Sequence, residues 1–141
     1  MAERPYEVAD GAEFYPMALF PQLAVSDTER STAWYERLGF EPVFAYGETV
    51  HLRYATGADL MLVGRGAPTG AGAGVTVYVN ASEPLEDVFE RLRTTGGTAE
   101  EPTETPYNTR ELRLRDPDGY QFVFSEPVDT DRSFDEVLGG A

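Results

Sequence analysis

The tetrapeptide Tyr35-Glu36-Arg37-Leu38 (YERL) returns as Phe89-Glu90-Arg91-Leu92 (FERL), at the same offset that relates Val25 to Val79. So short a match indicates an internal repeat only if the elements around it repeat as well. Upstream of YERL, MALFPQLAV reads as a strand because Leu19, Leu23 and Val25 alternate with other residues. Ser26 or Asp27 then caps a helix, TERSTAWYERL, with Trp34 and Leu38 on one face and Gly39 at its end. Three strand-like runs follow, EPVFAY, TVHLRYA and DLMLVG, separated by the turn signals Gly47 and Thr56-Gly57.

The same order surrounds FERL. A Gly- and Ala-rich run, RGAPTGAGAG, reads as a flexible connector; it lacks the Gly-Lys-Ser/Thr ending of a phosphate loop. VTVYVN is a strand, Ser82 is placed to cap the helix EPLEDVFERLRTT with Pro84 in its first turn, and Gly96-Gly97 stops it. TAEEPT is a weak strand kept to an edge by its Pro; TRELRLR and YQFVFSE are stronger, joined by the turn Asp116-Pro117-Asp118-Gly119. The expected fold is therefore α+β, two paired βαβββ modules. One short helix cannot cover both faces of four strands, so each helix should lie on one face, the other being concave, and the curled mixed sheets should close around a cavity. The expected boundaries are an N-terminal extension over 1–16, a paired domain over 17–127 (first repeat 17–64, connector 65–73, second repeat 74–127) and an acidic tail over 128–141, in which SFDEVLGG is a candidate short helix.

The 141-residue chain is long enough to bury roughly two-thirds of its unfolded surface without staples. It has no Cys, which excludes disulfides, thiolate metal sites and Cys nucleophiles and favours a reducing cytoplasm. No apolar run approaches the ~18 residues that span a bilayer, and the first residues lack a signal-peptide pattern. Formal charge is −14, and every basic residue is Arg. Such a surface repels phosphate backbones and anionic lipid, so neither nucleic acid nor membrane is expected as a partner, whereas a cationic ligand would be steered in. Acidity also serves solubility.

LAVSDTERSTAWYERLGFEPV, LEDVFERLRTTGG and RELRLRDPDGYQFVFSEP together resemble the vicinal oxygen chelate superfamily, which includes glyoxalases, extradiol dioxygenases, fosfomycin-inactivating enzymes and bleomycin-binding resistance proteins. The likeness covers roughly residues 17–127. For metal-dependent members it implies ligands on the first and last strand of each module, where His, Gln and Glu present lone pairs to a divalent ion. The matching positions here hold Phe20, Met61, Gly74 and Val123. Sliding the registers by two residues keeps the same face and offers Gln22, Asp59, Thr76 and Gln121, a set with one carboxylate and no imidazole. Sliding by one would turn Leu60, Leu62, Phe122 and Phe124 out of the core. No metal and no other cofactor is expected.

Alternation places Phe20, Gln22, His51, Arg53, Met61, Thr76, Tyr78, Glu111, Arg113, Gln121 and Val123 on the concave faces, with Tyr107 in a nearby loop. Aromatic walls with sparse polar groups suit a small-molecule pocket. The ligand-binding candidates are Phe20, Gln22, His51, Arg53, Met61, Tyr78, Tyr107, Glu111, Arg113 and Val123. His51 and Glu111 occupy equivalent positions in the two repeats and form a candidate acid–base pair, an arm of a displaced metal site, or a plain polar pair. Arg110, Arg113 and Arg115 suit either an anion clamp or cross-strand pairs with Glu. The resemblance is nearest to the metal-free bleomycin-resistance branch, which implies a homodimer sequestering an aromatic or cationic natural product without chemistry. PYNTRE keeps Pro106, Arg110 and Glu111 of that branch's Pro-Trp-Gly-Arg-Glu pattern and lacks its Trp. The alternative is a glyoxalase- or dioxygenase-like lyase or oxidoreductase using non-standard metal ligands, or metal-free acid–base catalysis by His51 and Glu111.

Overall fold

The computed structural model describes residues 6–9, 17–55, 57–94, 98–129 and 131–139. The chain divides into two compact units, residues 1–71 and 72–141.

The first unit runs β1 (Tyr6–Val8), β2 (Gln22–Ala24), α1 (Thr28–Leu38), β3 (Phe40–Tyr46), β4 (Thr49–Tyr54) and β5 (Ala58–Val63). Its sheet has the order β1-β3-β4-β5-β2, with β2 parallel to β5 and every other pair antiparallel. Asp27 is the cap that starts α1: its carboxylate accepts from the backbone N–H groups of Glu29 and Arg30 at 3.0 and 3.1 Å. Gly39 ends the helix at φ 108°, a conformation that a β-carbon disfavours. The buried face of α1, Trp34, Tyr35 and Leu38, accompanies Leu52, Leu60 and Leu62 of the sheet in the core. Each such side chain contributes about 1.5–3 kcal/mol by leaving water.

The second unit runs β6 (Thr76–Asn80), α2 (Leu85–Leu92), β7 (Thr98–Ala99), β8 (Thr103–Glu104), β9 (Thr109–Arg115), β10 (Gln121–Pro127) and α3 (Phe134–Leu138). Its mixed sheet has the order β6-β10-β9-β7, β6 lying parallel to β10 and β8 pairing with the other end of β9. The core gathers Leu85, Val88 and Leu92 of α2 with Val79, Leu112, Leu114, Phe122 and Phe124 of the strands. The turn between β9 and β10 is built on Asp116, which is 2% exposed. Its carboxylate accepts from the backbone N–H of Asp118 at 2.9 Å and of Tyr120 at 2.8 Å. Gly119 takes φ 103°, so the Asp-Pro-Asp-Gly signature is fully used by the turn.

Four expectations need correction. The strand expected over MALFPQLAV is only Gln22–Ala24, because Pro21 has no N–H for a ladder and Leu19 is exposed. Ser82 does not cap the second helix: Pro84 stands at the cap with φ −57° and ψ 136°, makes no side-chain cap bond, and the helix opens at Leu85. TAEEPT becomes two short strands on either side of Pro102, one pairing with each end of β9. The extension over 1–16, expected outside the sheets, supplies the edge strand β1 against β3. The stop expected at Gly96-Gly97 lies outside the described residues. SFDEVLGG does form a helix, opened by a reciprocal Ser133–Glu136 capping box. Among the described residues, no helix is long and apolar enough to cross a membrane.

Candidate functional site

In the first unit the polar chemistry gathers on the sheet face away from α1. The β4–β5 hairpin pairs Arg53 with Asp59 and His51 with Met61, and β2 pairs Gln22 with Met61, so these five residues share one face by strand alternation. Asp59 is the hub. Arg53 donates from Nε to Oδ1 at 2.7 Å and from Nη2 to Oδ2 at 2.9 Å, and His51 Nε2 lies 2.7 Å from Oδ2. Burial alone would raise the Asp59 carboxyl, yet the hydrogen bonds from Arg53 and His51, joined by their charges, outweigh it and hold the group below its ordinary value. An ionised carboxylate only accepts, so Nε2 of His51 carries the proton and, in the neutral ring, Nδ1 keeps a bare lone pair. That Nδ1 is buried and has no partner among the described residues.

Two aromatic rings flank the imidazole. Phe44 stacks on it, centroids 5.1 Å apart and planes 19° from parallel; Phe20 lies at 5.3 Å, tilted by 58°. Phe44 reaches this position through a bulge. Pairing between β3 and β4 runs regularly to Pro42↔Leu52, then skips Val43, so that Phe44 stands opposite His51.

In the second unit the corresponding face carries Tyr78, Val123 and Arg113 side by side, followed by Ser125 and Glu111. Val123 and Ser125 are buried, whereas Tyr78 is 60% exposed. Arg113 donates to Glu111 at 3.2 Å. Arg110 bridges Glu86 and Glu126, and Arg115 reaches the Gly119 carbonyl. Arg110 thus pairs with Glu126 across strands, as one of the two readings has it, whereas Arg113 pairs with Glu111 within β9 and Arg115 with a turn carbonyl. A small open depression of about 220 Å³ lies beside Arg113, Arg115, Gln121 and Val123. Tyr107 is exposed at the turn between β8 and β9, and next to it Asn108 adopts φ 67°.

The site residues expected from sequence thus fall into two groups, each within its own unit: Phe20, Gln22, His51, Arg53 and Met61 in the first, Tyr78, Tyr107, Glu111, Arg113 and Val123 in the second. Each of the proposed acid–base residues has a carboxylate or cation partner beside it, Asp59 for His51 and Arg113 for Glu111. Asp59 appeared in the sequence reading only under a shifted register, and its role as hub was not assigned. Counting back from the Thr56-Gly57 turn pairs it with Arg53 and is the signal that finds it.

A profile of the Glyoxalase/Bleomycin resistance protein/Dioxygenase superfamily matches residues 18–124, and the chain belongs to that superfamily. No curated protein sequence matches it significantly. Among solved structures, a glyoxalase/bleomycin resistance protein from Catenulispora acidiphila is similar at 28% identity and a TM-score of 0.56, covering 79% of this chain and 98% of the other. A bleomycin resistance determinant encoded on the transposon Tn5 is 19% identical, with a TM-score of 0.60 and coverage of 77% and 96%. A bleomycin-binding protein complexed with bleomycin is 19% identical, with a TM-score of 0.59 and the same coverage.

The metal that many superfamily members carry finds no fitting donor set here. Phe20, Met61, Gly74 and Val123 offer no hard ligand at the matching positions, and the described residues contain no group of three or more His, Cys, Asp or Glu able to hold an ion. The lone His is turned by Nε2 onto Asp59, whose two oxygens are already taken by Arg53 and His51.

Proposed function

We propose that this protein is a small-molecule-binding protein of the bleomycin-resistance type, a homodimer of the cytoplasm that sequesters an aromatic or cationic natural product without transforming it. The observation that carries this reading is the His51 cluster, an imidazole between Phe20 and Phe44 whose charged supports neutralise one another, beside the apolar Met61. Aromatic walls supply affinity and one or two polar atoms fix orientation. The family membership supports it, and so does the absence of a hard-ligand set at the matching positions.

Titration calorimetry against bleomycin and a panel of glycopeptide and aromatic antibiotics tests the reading, with the bound compound recovered and weighed by mass spectrometry. A member of the panel should bind stoichiometrically and come back unchanged. Tight binding of Zn, Ni, Mn or Fe with no response to any compound reverses the conclusion.

A second reading is favoured by the Asp59–His51 pair, since a carboxylate that orients an imidazole also equips it as a base. Metal-free acid–base catalysis by His51 with Glu111 predicts a product of altered mass or structure, and His51→Gln then abolishes its formation.

A further inference from the structure

We propose that Nδ1 of His51 is the acceptor that selects the ligand, taking a hydrogen bond from an N–H or O–H carried by a planar heteroaromatic ring. This deepens the sequestration reading and rests on it.

Three observations converge on the atom. The His51 side chain is 10% exposed. Its Nε2 is committed to Asp59 at 2.7 Å, and Asp59 is fixed in turn by two donors of Arg53, Nε and Nη2. The opposite nitrogen, Nδ1, is buried without a partner among the described residues. Buried polar atoms are nearly always paired, and leaving one bare costs the free protein its desolvation. A donor arriving from outside removes that cost, so the free protein holds an unmet demand of defined direction. The neighbouring groups state what kind of molecule carries the donor. Phe44 lies parallel to the imidazole, and Phe20 is 42% exposed on a stretch that belongs to no helix or strand. Phe20 packs against the imidazole at 5.3 Å, so in this proposal its rotation admits the ligand, and the uncovered rings offer a flat apolar surface to a flat molecule. The hydrogen bond then discriminates strongly, because an isosteric ring without a donor fills the space and leaves Nδ1 unpaired.

The chain contains a single histidine, so a long-range proton–nitrogen correlation spectrum of the labelled protein reports His51 alone. In the neutral ring the free protein should show Nε2 protonated and Nδ1 bare. Indole, whose only polar group is an N–H, should move the Nδ1 resonance and bind about tenfold tighter than benzofuran, its isostere without a donor. His51→Phe should bind both equally. A proton on Nδ1 in the free protein, equal affinity of the wild type for indole and benzofuran, or failure of indole to bind overturns the inference. If any of these occurs while a panel antibiotic still binds and is recovered unchanged, sequestration stands and only the role of Nδ1 falls; if nothing binds, both fall.

Discussion

Replacing Asp59 by Asn keeps the size of the hub and removes its charge. In the wild type the carboxylate is 1% exposed, Arg53 is 14% exposed and His51 10%, with contacts of 2.7, 2.7 and 2.9 Å. Removing one partner of a buried ion pair strands the other, a loss of about 3–5 kcal/mol. Arg53 keeps some contact with water, which places Asp59→Asn near the lower end, about 3 kcal/mol. With a urea slope of roughly 2 kcal/mol/M, the unfolding midpoint should fall by about 1.5 M. Arg53→Met strands the more deeply buried carboxylate and should cost at least as much, and the Arg53→Met/Asp59→Asn double variant should be about 2 kcal/mol more stable than the sum of the single effects. The pH dependence has a defined sign. Asp59 titrates lower in the folded than in the unfolded protein, so its contribution is complete above the unfolded value of about 3.9 and is lost as pH falls through the folded value. The gap between wild type and Asp59→Asn should therefore be widest near neutrality and close only below pH ~4. A midpoint shift under ~0.3 M, or strict additivity in the double variant, refutes the picture of Asp59 as a buried hub.

Three further outcomes follow from local geometry. Glu83 is held below its ordinary value first by hydrogen bonds from Arg91, so Glu83→Gln should remove a part of the acid sensitivity separate from that of Asp59, seen as a flatter stability curve below pH ~4.5. Asn108 combines φ 67° with side-chain bonds to the carbonyl and N–H of Asp129, so Asn108→Ala should lower stability by about 1–2 kcal/mol, with Asn108→Gly recovering only the backbone share in thermal unfolding. Gly39→Ala places a β-carbon at φ 108° behind α1 and should cost about 1–2 kcal/mol by the same measurement.

The element order was legible because each signal acts locally. Asp27 caps its own helix, Gly39 ends it, and the alternation of Leu52, Leu60 and Leu62 against His51, Arg53 and Met61 states which face the helix covers. The misreadings share a cause, backbone chemistry that side-chain periodicity does not carry. Pro21 shortens a strand whose apolar residues continue beyond it, and Pro84 replaces Ser82 as the start of a helix. In the site, alternation brings His51, Arg53 and Met61 together, but their partners come from pairing. Asp59 requires the hairpin register. Phe44 requires the bulge at Val43, since unbroken pairing would have set Val43 against His51 and left Phe44 on the other face.

The distribution of charge separates approach from recognition. The chain carries −14, yet on the helix-free face of the first unit Asp59 is matched by Arg53, and on that of the second Glu111 is matched by Arg113. Most of the excess acidity is borne elsewhere, Glu41 opposite Arg53 adding one acid to the first face and Arg115 one base to the second. On the sequestration reading, the net field acts at long range, raising the encounter rate of a cationic ligand and weakening with salt. The faces carry nearly offsetting charges, so affinity at contact comes chiefly from Phe20, Phe44, Met61 and the directed lone pair of His51 and depends only weakly on salt. The two contributions come apart in kinetics: added salt should slow association of a cationic compound while leaving its dissociation rate almost unchanged. A dissociation rate that rises in step with ionic strength would place the recognising charge inside the site and contradict the balanced pairs described for both units.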